Sequence, residues 1–139
     1  MRIVIGTFVF FTIVILFSCE EHGFLVECSQ CKVEEPKNAE LEIKLSKPDS
    51  NMAGAKIDIY EGNLEDNVLL DSFYEKSESF TYRVSLNKKY TITATYYFGA
   101  KYTAVNSVTP RVRYNKDQCD DPCYYVYDRT VNLKVKYTE

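Results

Sequence analysis

Tryptophan is absent, histidine occurs once, at His22, and the 139 residues hold only five glycines and four prolines. So little Gly and Pro, beside twelve tyrosines and many Thr, Val and Ile, excludes a disordered or linker-like chain and favours β-structure over long helices. A positive excess is also missing. With 17 Lys and Arg against 20 Asp and Glu, the chain lacks the basic footprint that nucleic-acid binding requires, so no nucleic acid is expected as a partner. There is no internal repeat or low-complexity tract, and the length suits one domain with one hydrophobic core.

What is present begins at the N-terminus. Met1 and Arg2 open a minimal positive region, and residues 3–17 are an apolar run broken only by Gly6, Thr7 and Thr12. As a helix this run covers roughly 22 Å, short of the ~30 Å hydrocarbon core, so it reads as a secretory signal instead of a membrane span. Leu16-Phe17-Ser18-Cys19 then resembles a lipobox, in which a diacylglycerol joins a cysteine thiol before the preceding peptide bond is cut. Leu16 suits a hydrophobic peptidase subsite, Ser18 lets the scissile bond approach, and Cys19 supplies the soft nucleophilic sulfur; Phe17 is larger than the residue usual at its position. The resemblance implies that residues 1–18 are a cleaved signal and that Cys19 becomes the lipidated first residue, holding the chain on a membrane through its acyl chains. Arg2 is the one charge lost with the signal, leaving 16 basic against 20 acidic side chains. Glu20 and Glu21 resemble the export signals of surface-exposed Gram-negative lipoproteins, which implies an outer-membrane protein facing outward. Residues 19–38 read as lipidated N-terminus and tether, and 39–139 as the domain.

Setting Cys19 aside leaves Cys28, Cys31, Cys119 and Cys123, an even number in a chain expected outside the cytosol, so two disulfides are expected. Three pairings are open. Local closure joins Cys28 to Cys31 and Cys119 to Cys123; crossed pairing ties the tether to a late loop and stabilises more, by roughly 4 to 5 kcal/mol per bridge on chain-entropy grounds. The same spacing, C-x-x-C followed far downstream by C-x-x-x-C, also approximates a four-thiolate zinc site, although export weighs against it and no metal is expected. Cys28-Ser29-Gln30-Cys31 lacks the βαβ surroundings of a thioredoxin-like motif.

From Ala39 onward apolar and polar residues alternate. Ala39, Leu41, Ile43 and Leu45 share one face, and Ala55, Ile57 and Ile59 another after the turn cluster Pro48-Asp49-Ser50-Asn51. Val68, Leu70 and Ser72 alternate with Leu69, Asp71 and Phe73, and Phe80, Tyr82, Val84 and Leu86 with polar neighbours. Asn87-Lys88-Lys89 makes a turn before Tyr90, Ile92, Ala94 and Tyr96, and Gly99 marks the next one. A less regular piece around Arg111 to Tyr114 precedes an acidic Cys-bearing loop, a strand at Tyr124 to Tyr127, and a last alternation through Val131, Leu133, Val135 and Tyr137. The spacing predicts an all-β fold: an antiparallel two-sheet sandwich of seven or eight strands.

Leu86-Asn87-Lys88-Lys89-Tyr90-Thr91-Ile92-Thr93-Ala94 and Ile57-Asp58-Ile59-Tyr60-Glu61-Gly62 resemble segments of prealbumin-like, carboxypeptidase-regulatory domains and their immunoglobulin and fibronectin type III relatives. The resemblance implies a tyrosine corner at Tyr90. The C-x-x-x-C-Y-Y of residues 119–125 also resembles a pattern of small exported lipoproteins. None of this supplies an activity.

His22 sits three residues from the anchor, where no preorganised triad forms around it, and Asp117, Asp120 and Asp121 match no EF-hand spacing. Asp49, Asp58 and Glu61 are not placed face to face by anything in the sequence. No catalytic residue and no cofactor is expected. Alternation turns some rings of Tyr96-Tyr97-Phe98 and Tyr124-Tyr125-Val126-Tyr127 outward, making Tyr97 and Tyr125 candidates for contact with a glycan or an envelope protein. The expected role is a noncatalytic binding or adhesion module; the alternative is a structural or accessory subunit of an outer-membrane envelope complex.

Overall fold

The computed structural model describes residues 26–47 and 54–136. The expected signal, Cys19, Glu20, Glu21 and His22 lie outside these residues, as do the Pro48-Asp49-Ser50-Asn51 turn and Tyr137.

Nine strands form among the described residues: β1 Asn38–Lys44, β2 Ala55–Glu61, β3 Leu69–Glu75, β4 Ser79–Ser85, β5 Tyr90–Phe98, β6 Ala100–Val108, β7 Arg111–Asn115, β8 Cys123–Tyr127 and β9 Thr130–Asn132. They make a three-stranded sheet, β4-β1-β9, a four-stranded sheet, β3-β2-β5-β6, and a separate β7-β8 hairpin. The two larger sheets share one core, so the expectation of an all-β sandwich holds at the level of architecture. Its details differ. There are three sheets instead of two, and β9 lies parallel to β1, with Val131 beside Ile43.

The alternation in β1 and β2 becomes burial directly: Leu41, Ile43, Ile57 and Ile59 are sealed from water, while Glu40 and Glu42 are exposed. The central strand β5 contributes Tyr90, Ile92, Ala94 and Tyr96 to the same core. On its other face Thr91, Thr93 and Thr95 are buried too, although no further element packs over them among the described residues. β3 departs from the simple alternation. Asp71 lies opposite Ile59 but Leu69 opposite Tyr60, so one extra residue, Leu70, is accommodated in a bulge and the parity of the strand changes there.

Two tyrosine hydroxyls tie these parts together. Tyr90 donates to the Ser85 carbonyl at 3.2 Å and accepts from the Ser85 amide at 3.1 Å, forming the corner that the resemblance implied. Tyr96, on the four-stranded sheet, donates to the Leu133 carbonyl at 2.9 Å and accepts from the Ser46 amide at 3.2 Å, reaching chain segments that follow β9 and β1. The expected final strand is also shorter than its alternation suggests. The Leu133 amide still bonds to the Lys44 carbonyl at 2.8 Å, but beyond it the Val135 amide bonds to Ser46 Oγ at 2.8 Å, so a side chain replaces the backbone ladder. The turn before β5 is tight: Asn87 takes φ +61, a left-handed conformation that Asn tolerates better than most residues.

Candidate functional site

Two regions stand outside the core: the outer face of the four-stranded sheet, and the β7-β8 end.

The register places the outer-face residues in rows. Tyr74, Lys56, Thr95 and Thr103 form one row, and Ser72, Asp58, Thr93 and Val105 the next. Beyond the first row Tyr97 pairs with Lys101, and beyond the second Leu69, Tyr60, Thr91 and Ser107 align. The polar groups of this surface are largely bonded to one another. Ser72 Oγ donates to Asp58 at 2.5 Å, Lys56 Nζ lies 3.0 Å from the same carboxylate, and the hydroxyls of Thr91 and Ser107 are 2.9 Å apart. Partial burial works to raise the Asp58 pKa, but the Ser72 hydrogen bond together with the hydrogen bond and charge of Lys56 holds it below the ordinary carboxylate value. Ser72, Thr103 and Ser107 are exposed on this face while Thr91, Thr93 and Thr95 are buried, and two large rings rise from it: Tyr74 is 59% exposed and Tyr97 is 47% exposed. They sit two strands and one row apart, which sheet spacing converts to about 12 Å between their Cα atoms.

Of the two expected contact candidates, Tyr97 is exposed and Tyr125 is buried. Tyr125 is 6% exposed, on β8 opposite Arg113, with its ring 6.3 Å from that of Tyr127. The hairpin turns its tyrosines on itself: the rings of Tyr114 and Tyr124 are 4.8 Å apart, the Tyr114 hydroxyl donates to Asp121, and Arg113 lies over Tyr127. Sequence reasoning missed Tyr74, although the signal was available: once Phe73 points inward, its neighbour on a strand must point out.

The β7-β8 end is built by cysteine. Cys28 is bonded to Cys119 and Cys31 to Cys123, one of the two pairings that tie the tether to the late loop. Part of the expected tether is thereby fastened to the domain. Residues 28–30 form a 3₁₀ turn, and Lys32 exchanges both backbone hydrogen bonds with Tyr124, at 2.8 and 2.9 Å. The sulfurs of Cys31, Cys119 and Cys123 lie within 4.8 Å of one another, but in disulfides they present no thiolate to a metal. Asp117, Asp120 and Asp121 are exposed, and Asp121 accepts from Tyr114. Asp58 is engaged with Ser72 and Lys56, and Glu61 with Lys88 at 3.0 Å, so these two carboxylates have separate partners; Asp49 and His22 lie outside the described residues.

Comparison of the chain with protein-family models, with curated proteins and with solved structures returns no match. The fold itself defines the class: an all-β, sandwich-like domain with two disulfides, of a kind compatible with a noncatalytic binding or structural module.

Proposed function

We propose that the chain is a noncatalytic binding module, displayed on the outer membrane by acyl chains on Cys19, whose contact surface for glycans is the outer face of the four-stranded sheet. The observation that carries this reading is the pair of exposed rings, Tyr74 and Tyr97, on one face of the four-stranded sheet. A tyrosine ring stacks on the apolar C–H face of a sugar, and its hydroxyl stays in water. A separation of about 12 Å between their Cα atoms lets an extended ligand contact both rings at once. The lipobox-like Leu16-Phe17-Ser18-Cys19 supports the membrane address, and the two disulfides fit a compartment outside the cytosol.

Glycan-array binding of wild type, Tyr74→Ser and Tyr97→Ser tests the contact face. Each variant should lose about tenfold or more in affinity with an unchanged melting temperature. If both variants bind as wild type, the face is not the site. The address is tested separately by Cys19→Ala, which should abolish processing and partition into detergent. A Cys19→Ala protein processed to the wild-type size and still partitioning would overturn the lipid anchor.

One observation favours a second reading, an accessory subunit of an envelope complex. Among the described residues β3 pairs on one side only, with β2, and Leu64, Val68, Leu69 and Leu70 at or before it are all about two-fifths to one-half exposed. An open edge with aliphatic side chains is a template for a strand from another protein. Crosslinking on intact cells separates the two: capture of a single stoichiometric envelope protein supports the accessory role, and glycan-dependent capture supports adhesion.

A further inference from the structure

The crossed disulfides do more than close loops. By holding residues 28–32 against the hairpin they complete a cleft of about 460 Å³, walled by that segment, the start of β1, β4 and the chain leaving β8. That volume is within the range of small-molecule sites. Three cations converge on it, Lys32, Arg83 and Arg129, against a single acid, Glu40.

Each cation is placed by backbone bonding that has nothing to do with its charge. Lys32 is fixed by its paired hydrogen bonds with Tyr124, Arg83 by the β1-β4 ladder, where it stands opposite Glu40, and Arg129 by the bond from the Glu42 amide to its carbonyl at 2.8 Å. Arg129 is further oriented by donating from Nη2 to Gln30 Oε1 at 3.2 Å, a contact within the cleft wall. None of the three is ion-paired among the described residues; the ion pairs there are Lys44 with Glu42, Lys56 with Asp58, and Lys88 with Glu61. Glu40 faces Arg83 across the ladder without reaching it. In a chain with more acidic than basic side chains, a lining of three cations and one acid is unusual; Glu34 and Glu35 beside Lys32 and Arg83, and Glu27 and Asp128 beside Arg129, line the adjoining hollows and not this cleft.

We infer that this cleft binds an oxyanion, a carboxylate or phosphate group, clamped between the Arg83 and Arg129 guanidiniums with Lys32 adding charge. Guanidinium is suited to the task because its planar fork meets two oxygens of a carboxylate or phosphate at once. Ser29, Gln30 and Asn38 line the same space and supply neutral polar partners for the rest of the ligand. The group is carried either by a soluble acid, such as an acidic sugar, or by a phospholipid headgroup. The site is separate from the tyrosine face and does not depend on it.

The test uses the full chain with its disulfides intact, titrated at low ionic strength with sodium phosphate and with glucuronate while backbone amide shifts are followed by NMR. Saturable shifts are expected at Lys32, Arg83 and Arg129 with at least one of these anions or with phosphatidylglycerol vesicles. Arg83→Gln and Arg129→Gln should each weaken binding about tenfold, and Glu40→Gln should strengthen it, which a merely structural role for the arginines would not produce. Displacement of the soluble anion by phosphatidylglycerol but not phosphatidylcholine vesicles assigns the group to a headgroup; displacement by neither assigns it to a soluble acid. Absence of saturable shifts with all three probes, or wild-type affinity in both arginine variants, overturns the inference.

Discussion

In the sandwich, Leu41, Ile43, Ile57, Ile59 and Ile92 are sealed between two sheets, and no cysteine among the described residues takes part. In the β7-β8 hairpin the buried residues are Cys123 and Tyr125 alone, and two disulfides fasten the hairpin to residues 28–31. One region is ordered by area removed from water, the other by covalent bonds that stand in for a core too small to form. The difference also divides their uses. A buried core leaves only its outer faces for contact, whereas a stapled segment over a hairpin leaves a concavity.

The sharpest way to break the contrast is to open the staples. The bridges span 91 and 92 residues of sequence, so the first to form closes a loop that includes nearly the whole sandwich and contributes about 4.5 kcal/mol on chain-entropy grounds. The second closes only the short circuit that the first leaves, on the order of eight residues, and adds about 2.5 kcal/mol. Urea unfolding should therefore show Cys28→Ser/Cys119→Ser or Cys31→Ser/Cys123→Ser alone costing about 2.5 kcal/mol and all four substitutions about 7. If the two pairs prove additive, with each costing the same in the presence or absence of the other, the shared-loop account is wrong.

Next in size is the core itself. Ile57→Ala should cost about 3 to 4 kcal/mol, since Ile57 has no exposed surface and its neighbours in two sheets cannot collapse into the space. Hydrogen exchange should then show the loss spread over both large sheets. Protection confined to one sheet would mean that the two do not unfold as a unit.

Between these lies Tyr96→Phe. It removes one hydroxyl that serves two chain segments and leaves the Ser46 amide and the Leu133 carbonyl without that partner, for about 1 to 3 kcal/mol. Tyr90→Phe should cost less, about 1 kcal/mol, because both of its bonds go to the single residue Ser85 in a partly buried turn. Equal losses from the two substitutions would show that linking distant segments adds nothing beyond the bonds.

The two regions also differ in how far they could be read from residues alone. β1 and β2 were legible because one face of each is core and a period of two is the direct record of that asymmetry, and β5 because its Tyr, Ile and Ala positions alternate with threonines even though both of its faces are buried. The tyrosine corner at Tyr90 was legible because it is local. β3 was misread where Leu70 enters the bulge, since a change of parity leaves no mark in composition. The third sheet, the parallel β1-β9 pair and the crossed cysteines were not legible, because each depends on a choice between distant partners that local pattern leaves open. Tyr125 was a candidate for the surface for the same reason: alternation says that neighbouring rings point opposite ways, and only the fold says which way is out. The cations of the cleft are brought together from three separate segments, and no spacing announced them.

The smallest effect concerns the outer face and its dependence on pH. The Asp58 pKa lies below its ordinary value in the fold, the Ser72 and Lys56 interactions outweighing partial burial, so its contribution to stability is complete above the ordinary carboxylate value and is lost as pH falls through the lower folded value. Lys56 is shifted upward by the Asp58 hydrogen bond and charge, so its share is complete below the ordinary lysine value and is lost as pH rises through the higher folded one. The pair is thus fully formed across the neutral range, and solvent screening keeps its worth small. Ser72→Ala should move the Asp58 carboxyl back toward its ordinary pKa in a ¹³C NMR titration. Its stability deficit should be present at neutral pH and shrink in acid, once Asp58 is protonated in both proteins. A deficit that stays constant into acid would place the role of Ser72 in packing at the β3 edge, and would separate the hydroxyl network of this face from the charge pair beside it.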